Sequence, residues 1–365
     1  MSIFVTIVIF SILIIVHEFG HFIAARHSGI KVEKFAIGFG PVLLKWRSKE
    51  TDFLICAFPL GGYVKLAGDS RLECKGRDYE FLSKAPGIKM KVVLAGPVFN
   101  YLLAFIIFCI IAFIGYPYRD TIVGSVLEGY PAEASGLKEG DKILEVNGRE
   151  VSDWLQMTKV IRKSKGDISL KLERNGKNIF LDVSLREKEV IDDFGIKKMT
   201  SIIGISASPN IKIVKYGFPK ALIKGAESLF DLTHKVIKGL MYMITGSISF
   251  KEGAGGPIAI FYITSEFVKI GVIAVLQLMA ALNISLAIIN LFPIPVLDGG
   301  HLLFFVLEKI RKKSLSEKVE GALSRMGFAL IGVLIVFVFY NDIVKYGPKI
   351  RDKILHREQS TEFKK

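Results

Sequence analysis

"IFSILIIVHEFGHFIAARHSG", Ile9 to Gly29, sets two histidines and a glutamate inside a strongly apolar run. An ionisable side chain at membrane depth costs roughly 2.5–3.5 kcal/mol on insertion scales unless it has partners. The run from Ser2 to Ala25 is long enough to cross a bilayer. It lacks a basic n-region and a small-residue cleavage site, so it reads as a retained transmembrane helix and not as a signal peptide.

The rest of the composition agrees with a membrane setting. Of 365 residues, 51% are hydrophobic, and mean hydropathy is +0.42. Three further segments have spanning length: Val92–Tyr116, Ile270–Phe292, and Met326–Tyr340 with an extension toward Val344. The net charge of +14 is spread along the chain without a base-reading motif. It therefore reads as juxtamembrane charge against anionic lipid, with no nucleic-acid partner. Cys56, Cys74 and Cys109 are too scattered for a disulfide framework or a cysteine zinc site.

Five regions follow. Residues 1–116 form an N-terminal membrane core with a β-hairpin loop, and 117–210 form a small polar β-rich domain with its following segment. Residues 211–250 carry an amphipathic membrane-surface helix, and 251–345 form a C-terminal membrane core. Residues 346–365 are a basic tail. In the second region, short β-rich runs are separated by turn signals at Asn147-Gly148 and Asn175-Gly176. Cations after the first span (Arg26 to Lys49) and between the third and fourth (Lys309 to Lys318) place both loops on the cytoplasmic side. The β-rich domain is then extracytoplasmic. The basic tail points the other way.

His17-Glu18-Phe19-Gly20-His21 is an HExxH pattern. Residues four apart share a helix face, so both imidazoles reach one ion, and Glu18 stands on the neighbouring arc beside the attacking water. A hydrolytic zinc site takes a third protein ligand and keeps one position open. Asp298, in "NLFPIPVLDGG" (Asn290 to Gly300), is the best-placed carboxylate. By spacing alone it reads equally as a ligand or as a helix cap. Counting 1.5 Å per residue puts His17 about 22 Å along the first helix, close in depth to the end of the third span.

HEFGH together with "NLFPIPVLDGG" resembles the site-2 protease family of intramembrane zinc metalloproteases. "AGPVFN" (Ala95 to Asn100), "FAIGFGP" (Phe35 to Pro41), "FPLGGYVK" (Phe58 to Lys65) and "GPIAI" (Gly256 to Ile260) are similar to further segments of that family. "GSVLEGYPAEASGLKEGDKILEVNGREV", Gly124 to Val151, resembles a bacterial PDZ domain, and the chain has room for one. The whole is similar to the bacterial regulator of sigma-E protease group. The resemblance implies a polytopic α-helical membrane protein with four transmembrane helices, a membrane-associated β hairpin and one inserted extracytoplasmic PDZ (α+β) domain. It implies a zinc metalloendopeptidase in a bacterial inner membrane. His17, His21 and Asp298 would hold Zn2+, Glu18 would act as general base, and Asn100 and Asn290 would bind substrate. Substrates would be single-span membrane proteins, either anti-sigma-factor-like or remnant signal peptides. Two other readings stand beside it. One is a catalytically inactive metal-binding or PDZ adaptor of the same fold, expected to lack Glu18 or a ligand. The other is a transporter with a buried polar site, expected to show inverted repeats.

Overall fold

The computed structural model describes residues 2–192 and 194–362. The chain runs α1 (Ser2–His27), β1 (Val32–Ser48), β2 (Thr51–Leu66), α2 (Pro86–Ile114), β3 (Tyr116–Arg119), β4 (Val123–Val126), α3 (Pro131–Ala134), β5 (Lys142–Val146) and β6 (Arg149–Glu150). It continues with α4 (Trp154–Lys163), β7 (Ile168–Arg174), β8 (Lys177–Val183), β9 (Arg186–Ile191), β10 (Lys197–Ile202), β11 (Ile205–Ala207) and β12 (Ile211–Val214). Its last part holds α5 (Phe218–Ile244), α6 (Phe250–Gly253), α7 (Pro257–Ile270), α8 (Val272–Asn290), α9 (Asp298–Arg311) and α10 (Glu317–Glu362). These elements form two compact units. One comprises Met1–Cys109, Lys224–Met241 and Ser249–Lys365, and the other Ile110–Ile223 and Tyr242–Ile248.

Among the described residues, four helices are long and apolar enough to cross a membrane: Ser2–His27, Pro86–Ile114, Val272–Asn290 and Glu317–Pro348. Their boundaries depart from the hydropathy pattern for local reasons. α2 begins at Pro86, because proline is compatible with the first turn of a helix. Gly271, at φ 128°, separates α8 from α7, so the third apolar segment starts at Val272. α10 runs through the polar residues after Tyr340 into the basic tail, whose last residues, 363–365, lie outside those described.

Within the first unit, α10 holds α7 by an internal carboxylate. Asp342 is fully buried and accepts hydrogen bonds from the Gly256 and Ala259 amides, at 3.1 and 2.9 Å. Those amides belong to the first turn of α7, which has no earlier carbonyls to bond. Asn341 donates to the Lys251 carbonyl at 2.7 Å.

β1 and β2 are long, bent antiparallel strands that pair with each other twice. Residues 32–37 lie between 62–66 on one side and 52–55 on the other, and 44–48 pair with 51–55. Segment 62–66 is therefore an edge. At Gly62 an added Cβ would stand 2.8 Å from the Ala36 carbonyl oxygen and 3.5 Å from Glu18 Cγ. Only glycine fits there without displacing its neighbours.

In the second unit, four antiparallel strands in the order β6-β5-β7-β8 carry buried apolar residues, among them Ile143 and Val146 on β5 and the alternating Ile168, Leu170 and Leu172 on β7. α4 lays Met157 and Ile161 on this core. Its N-terminus is doubly capped: Asp153 accepts from the Gln156 amide, and the Gln156 side chain accepts from the Ser152 amide. Asp141, with its side chain 1% exposed, receives two bonds from Arg174 and one from the Lys138 amide.

Candidate metal centre

α1 carries His17 and His21 one turn apart on the side that meets α2 and α8. α2 comes very close to it. A Cβ at Gly20 would lie 2.4 Å from the Ala95 carbonyl oxygen, and one at Gly96 would lie 2.5 Å from His21 Nε2 and 2.8 Å from His17 Cε1. Glycine on both helices brings the α2 backbone against the two imidazoles. Pro97 follows at once, and its missing amide removes one rung of the helix beside the site.

Asp298 reaches the same point from the loop after α8. Pro293 and Pro295 interrupt the chain, and Val296 is held at φ 106°, a left-handed conformation disfavoured for a β-branched residue. Gly299 and Gly300 then pack against the Leu291, Phe292 and Ile294 carbonyls, where an added Cβ would come within 2.3 Å. Asp298 opens α9.

The three polar tips converge. Asp298 Oδ2 is 3.1 Å from His17 Nε2 and 3.6 Å from His21 Nε2, and the two Nε2 atoms are 3.2 Å apart. A tetrahedral zinc ion with bonds of about 2.0–2.1 Å holds its ligands about 3.3–3.4 Å from one another. The observed edges match that spacing. Asp298 Oδ2 is buried and lacks a hydrogen-bond donor of suitable geometry, as befits an oxygen directed at a cation. The donor set of two imidazoles and one carboxylate is suited to catalytic zinc. Among the described residues, His17, His21 and Asp298 are the one group of histidine, cysteine and acidic side chains arranged to hold a metal ion.

A cavity of about 370 Å³ opens beside these tips, lined by Glu18, Asn290, Ile14, Leu286, Val296 and Leu297 as well as the three convergent residues. Glu18 lies beside segment 62–66 of β2, its Cγ 3.5 Å from where a Cβ at Gly62 would stand. The two asparagines part company. Asn290 Nδ2 is 3.5 Å from His17 Nε2, on the cavity side. Asn100 is fully buried, and its Nδ2 lies 3.3 Å from His17 Nδ1, on the opposite edge of the ring. The His21 Nδ1 contact with the Val92 carbonyl, at 2.9 Å, is not evident from sequence, because any residue supplies a carbonyl.

The family model of Peptidase family M50 matches residues 5–334. The chain belongs to Peptidase family M50, the site-2 protease family. It is a metalloprotease. Zinc metalloprotease RasP of Shouchella clausii is 30% identical over 425 residues, covering 93% of this chain and 98% of that protein. RasP of Geobacillus kaustophilus is 29% identical, covering 94% and 98%. A Rickettsia conorii protein provisionally named a zinc metalloprotease is 35% identical over 355 residues, covering 94% and 98%. Among solved structures, the PDZ domain of a Listeria monocytogenes SdrC-like protein is 28% identical, covering 25% of this chain and 88% of that one, with a TM-score of 0.20.

Proposed function

We propose that this metalloprotease hydrolyses peptide bonds within transmembrane segments of single-span proteins, with zinc held by His17, His21 and Asp298. The observation that carries the reading is the convergence of these three side chains, at 3.1–3.6 Å, on one cavity that also receives Glu18. Zinc, when bound, supplies Lewis acidity toward a scissile carbonyl. Glu18 takes a proton from the attacking water and returns it to the leaving amine. Asn290, at the cavity wall, donates to the substrate backbone or to the developing oxyanion.

A helical substrate hides its peptide bonds inside its own hydrogen-bond ladder and must unwind before attack. The free edge at 62–66, adjoining Glu18, suits pairing with such an extended stretch. Anti-sigma-factor-like proteins and remnant signal peptides are the substrate classes that fit a single hydrophobic span. The β-rich unit, with its four-stranded sheet and capped α4, is a PDZ domain in this reading. It lies on the extracytoplasmic side of a bacterial inner membrane, opposite the cationic loops.

Purified wild type and Glu18→Gln, each assayed for bound metal and for cleavage of a labelled single-span substrate, test the proposal. Zinc in both with cleavage by wild type alone is the expected result. Absence of zinc from wild type, or equal cleavage by both, overturns it.

A further inference from the structure

We propose that Asn100 is a positioning residue for the metal centre: its amide oxygen accepts the Nδ1 proton of His17, so that the Nε2 lone pair faces the ion. The inference rests on the ligand reading above and assigns Asn100 a place behind the centre, not on the substrate. Three observations lead to it. Asn100 is fully buried and absent from the cavity wall, whereas Asn290 is part of it. Asn100 contacts His17 at Nδ1, while Asp298, His21 and Asn290 all contact Nε2. The other imidazole is already fixed in this manner, because a carbonyl only accepts and the Val92 oxygen must therefore receive the Nδ1 proton of His21.

The chemistry follows from the imidazole. A neutral ring carries one proton, and a ring that gives its Nε2 lone pair to a metal carries that proton on Nδ1. His17 Nδ1–H then needs an acceptor. Asn100 Oδ1 is a buried acceptor without a partner, on the same amide whose nitrogen stands 3.3 Å from Nδ1. The two ends of an amide are told apart by their hydrogen-bond network, and a half-turn about the terminal bond exchanges them. Turning Oδ1 toward Nδ1 matches the acceptor to the proton that a loaded centre requires. Val92 and Asn100 are two turns apart on one helix, so α2 would set the tautomer of both histidines, and second partners of this kind change metal affinity about 10–100-fold.

The test compares zinc affinity, by chelator competition in detergent, for wild type, Asn100→Leu and Asn100→Asp. Leucine keeps the volume without an acceptor, and aspartate keeps the acceptor. Asn100→Leu is expected to bind zinc about 10–100-fold more weakly, with Asn100→Asp near wild type. At saturating zinc, KM for substrate should be unchanged. Asn100→Leu holding zinc as tightly as wild type overturns the proposal, and a raised KM with unchanged zinc affinity returns Asn100 to the substrate. Should Asn100→Leu fail to fold, nitrogen-15 spectra of histidine-labelled, zinc-loaded wild type decide: protonated Nδ1 on His17 is expected, and a bare Nδ1 refutes it. If wild type lacks zinc, or His17→Ala retains wild-type affinity, the ligand reading itself fails, and that result is separable from the behaviour of Asn100.

Discussion

Gly96→Ala is a single-methyl test of the centre. The added Cβ would stand 2.5 Å from His21 Nε2, about 0.9 Å inside ordinary contact at 3.4 Å, and 2.8 Å from His17 Cε1. Neither ring is a flexible chain end. The His21 ring is tied to the Val92 carbonyl, and His17 is boxed by Asn100 and Asp298. Backing α2 away meets little slack, since relief of the clash must move a whole helix. Overpacking of this kind typically costs about 1–3 kcal/mol. Metal geometry tolerates only about 0.2 Å of ligand displacement. If the strain is relieved by moving a ligand, zinc affinity falls by about 5–150-fold, at 1.4 kcal/mol per tenfold.

The assay is zinc competition in detergent, beside a thermal melt. Gly87→Ala is the control: it lies on the same helix, and a Cβ there meets nothing within 4 Å. Alanine at Gly87 should leave zinc binding unchanged and stabilise α2 by up to about 1 kcal/mol. Gly96→Ala with a wild-type melt and zinc affinity within twofold of wild type would refute the close packing of α2 on both imidazoles.

Three further predictions concern other contacts. Asp141→Asn should destabilise the β-rich unit by about 2 kcal/mol, since it weakens charge-assisted bonds to Arg174. Burial of Asp141 pushes its carboxyl up, but Arg174 and the Lys138 amide hold it below the usual range, so this stability is complete above about pH 4. It is lost as pH falls through the lowered folded pKa, and a melt series from pH 7 downward should show that dependence reduced in Asp141→Asn. Asp342→Ala strips the buried acceptor from two α7 amides, and hydrogen exchange at Gly256 and Ala259 should accelerate while α8 stays protected. Lys89, buried, gives two bonds to Glu308 on α9 and lies 4.9 Å from the Phe305 ring centroid. Lys89→Met alone should cost about 3–5 kcal/mol in denaturant unfolding, and the double change with Glu308→Leu should recover most of it.

What was legible in the sequence divides along physical lines. The apolar helices were readable because hydrocarbon thickness demands a long run, and the 32–66 hairpin showed in its β-rich pieces. The limits of α10 were not, since residues 346–365 read as a basic tail, whereas the helix runs on from Glu317 to Glu362. α7 was hidden beside α8, because Glu266 and Lys269 cut its apolar run short of spanning length. The spacing of Asp298 was equally compatible with a cap and a ligand. Its packing is decided by Gly299 and Gly300 against their own loop, a tertiary fact. The same holds for the asparagines. Both occur in apolar spans, and which edge of His17 each one meets depends on the rotation of α2 and α8 about their axes.

That rotation answers the question posed by polar groups in the opening helix. The two histidines are not isolated in hydrocarbon, because α2 approaches through Gly96 and offers the Val92 carbonyl to one ring and Asn100 to the other. Asp298 comes from a third element, and Glu18 lies against Gly62 of β2. His17, His21 and Glu18 are thereby each met by groups from other parts of the chain. A helix with such a sequence is costly alone and acceptable only once these elements have assembled. In the proposed reading, these polar residues make packing of the helices and formation of the metal centre a single event. Substitutions at Gly96 or Gly299 should therefore weaken zinc binding and helix packing together, although neither residue has a side chain to offer the metal.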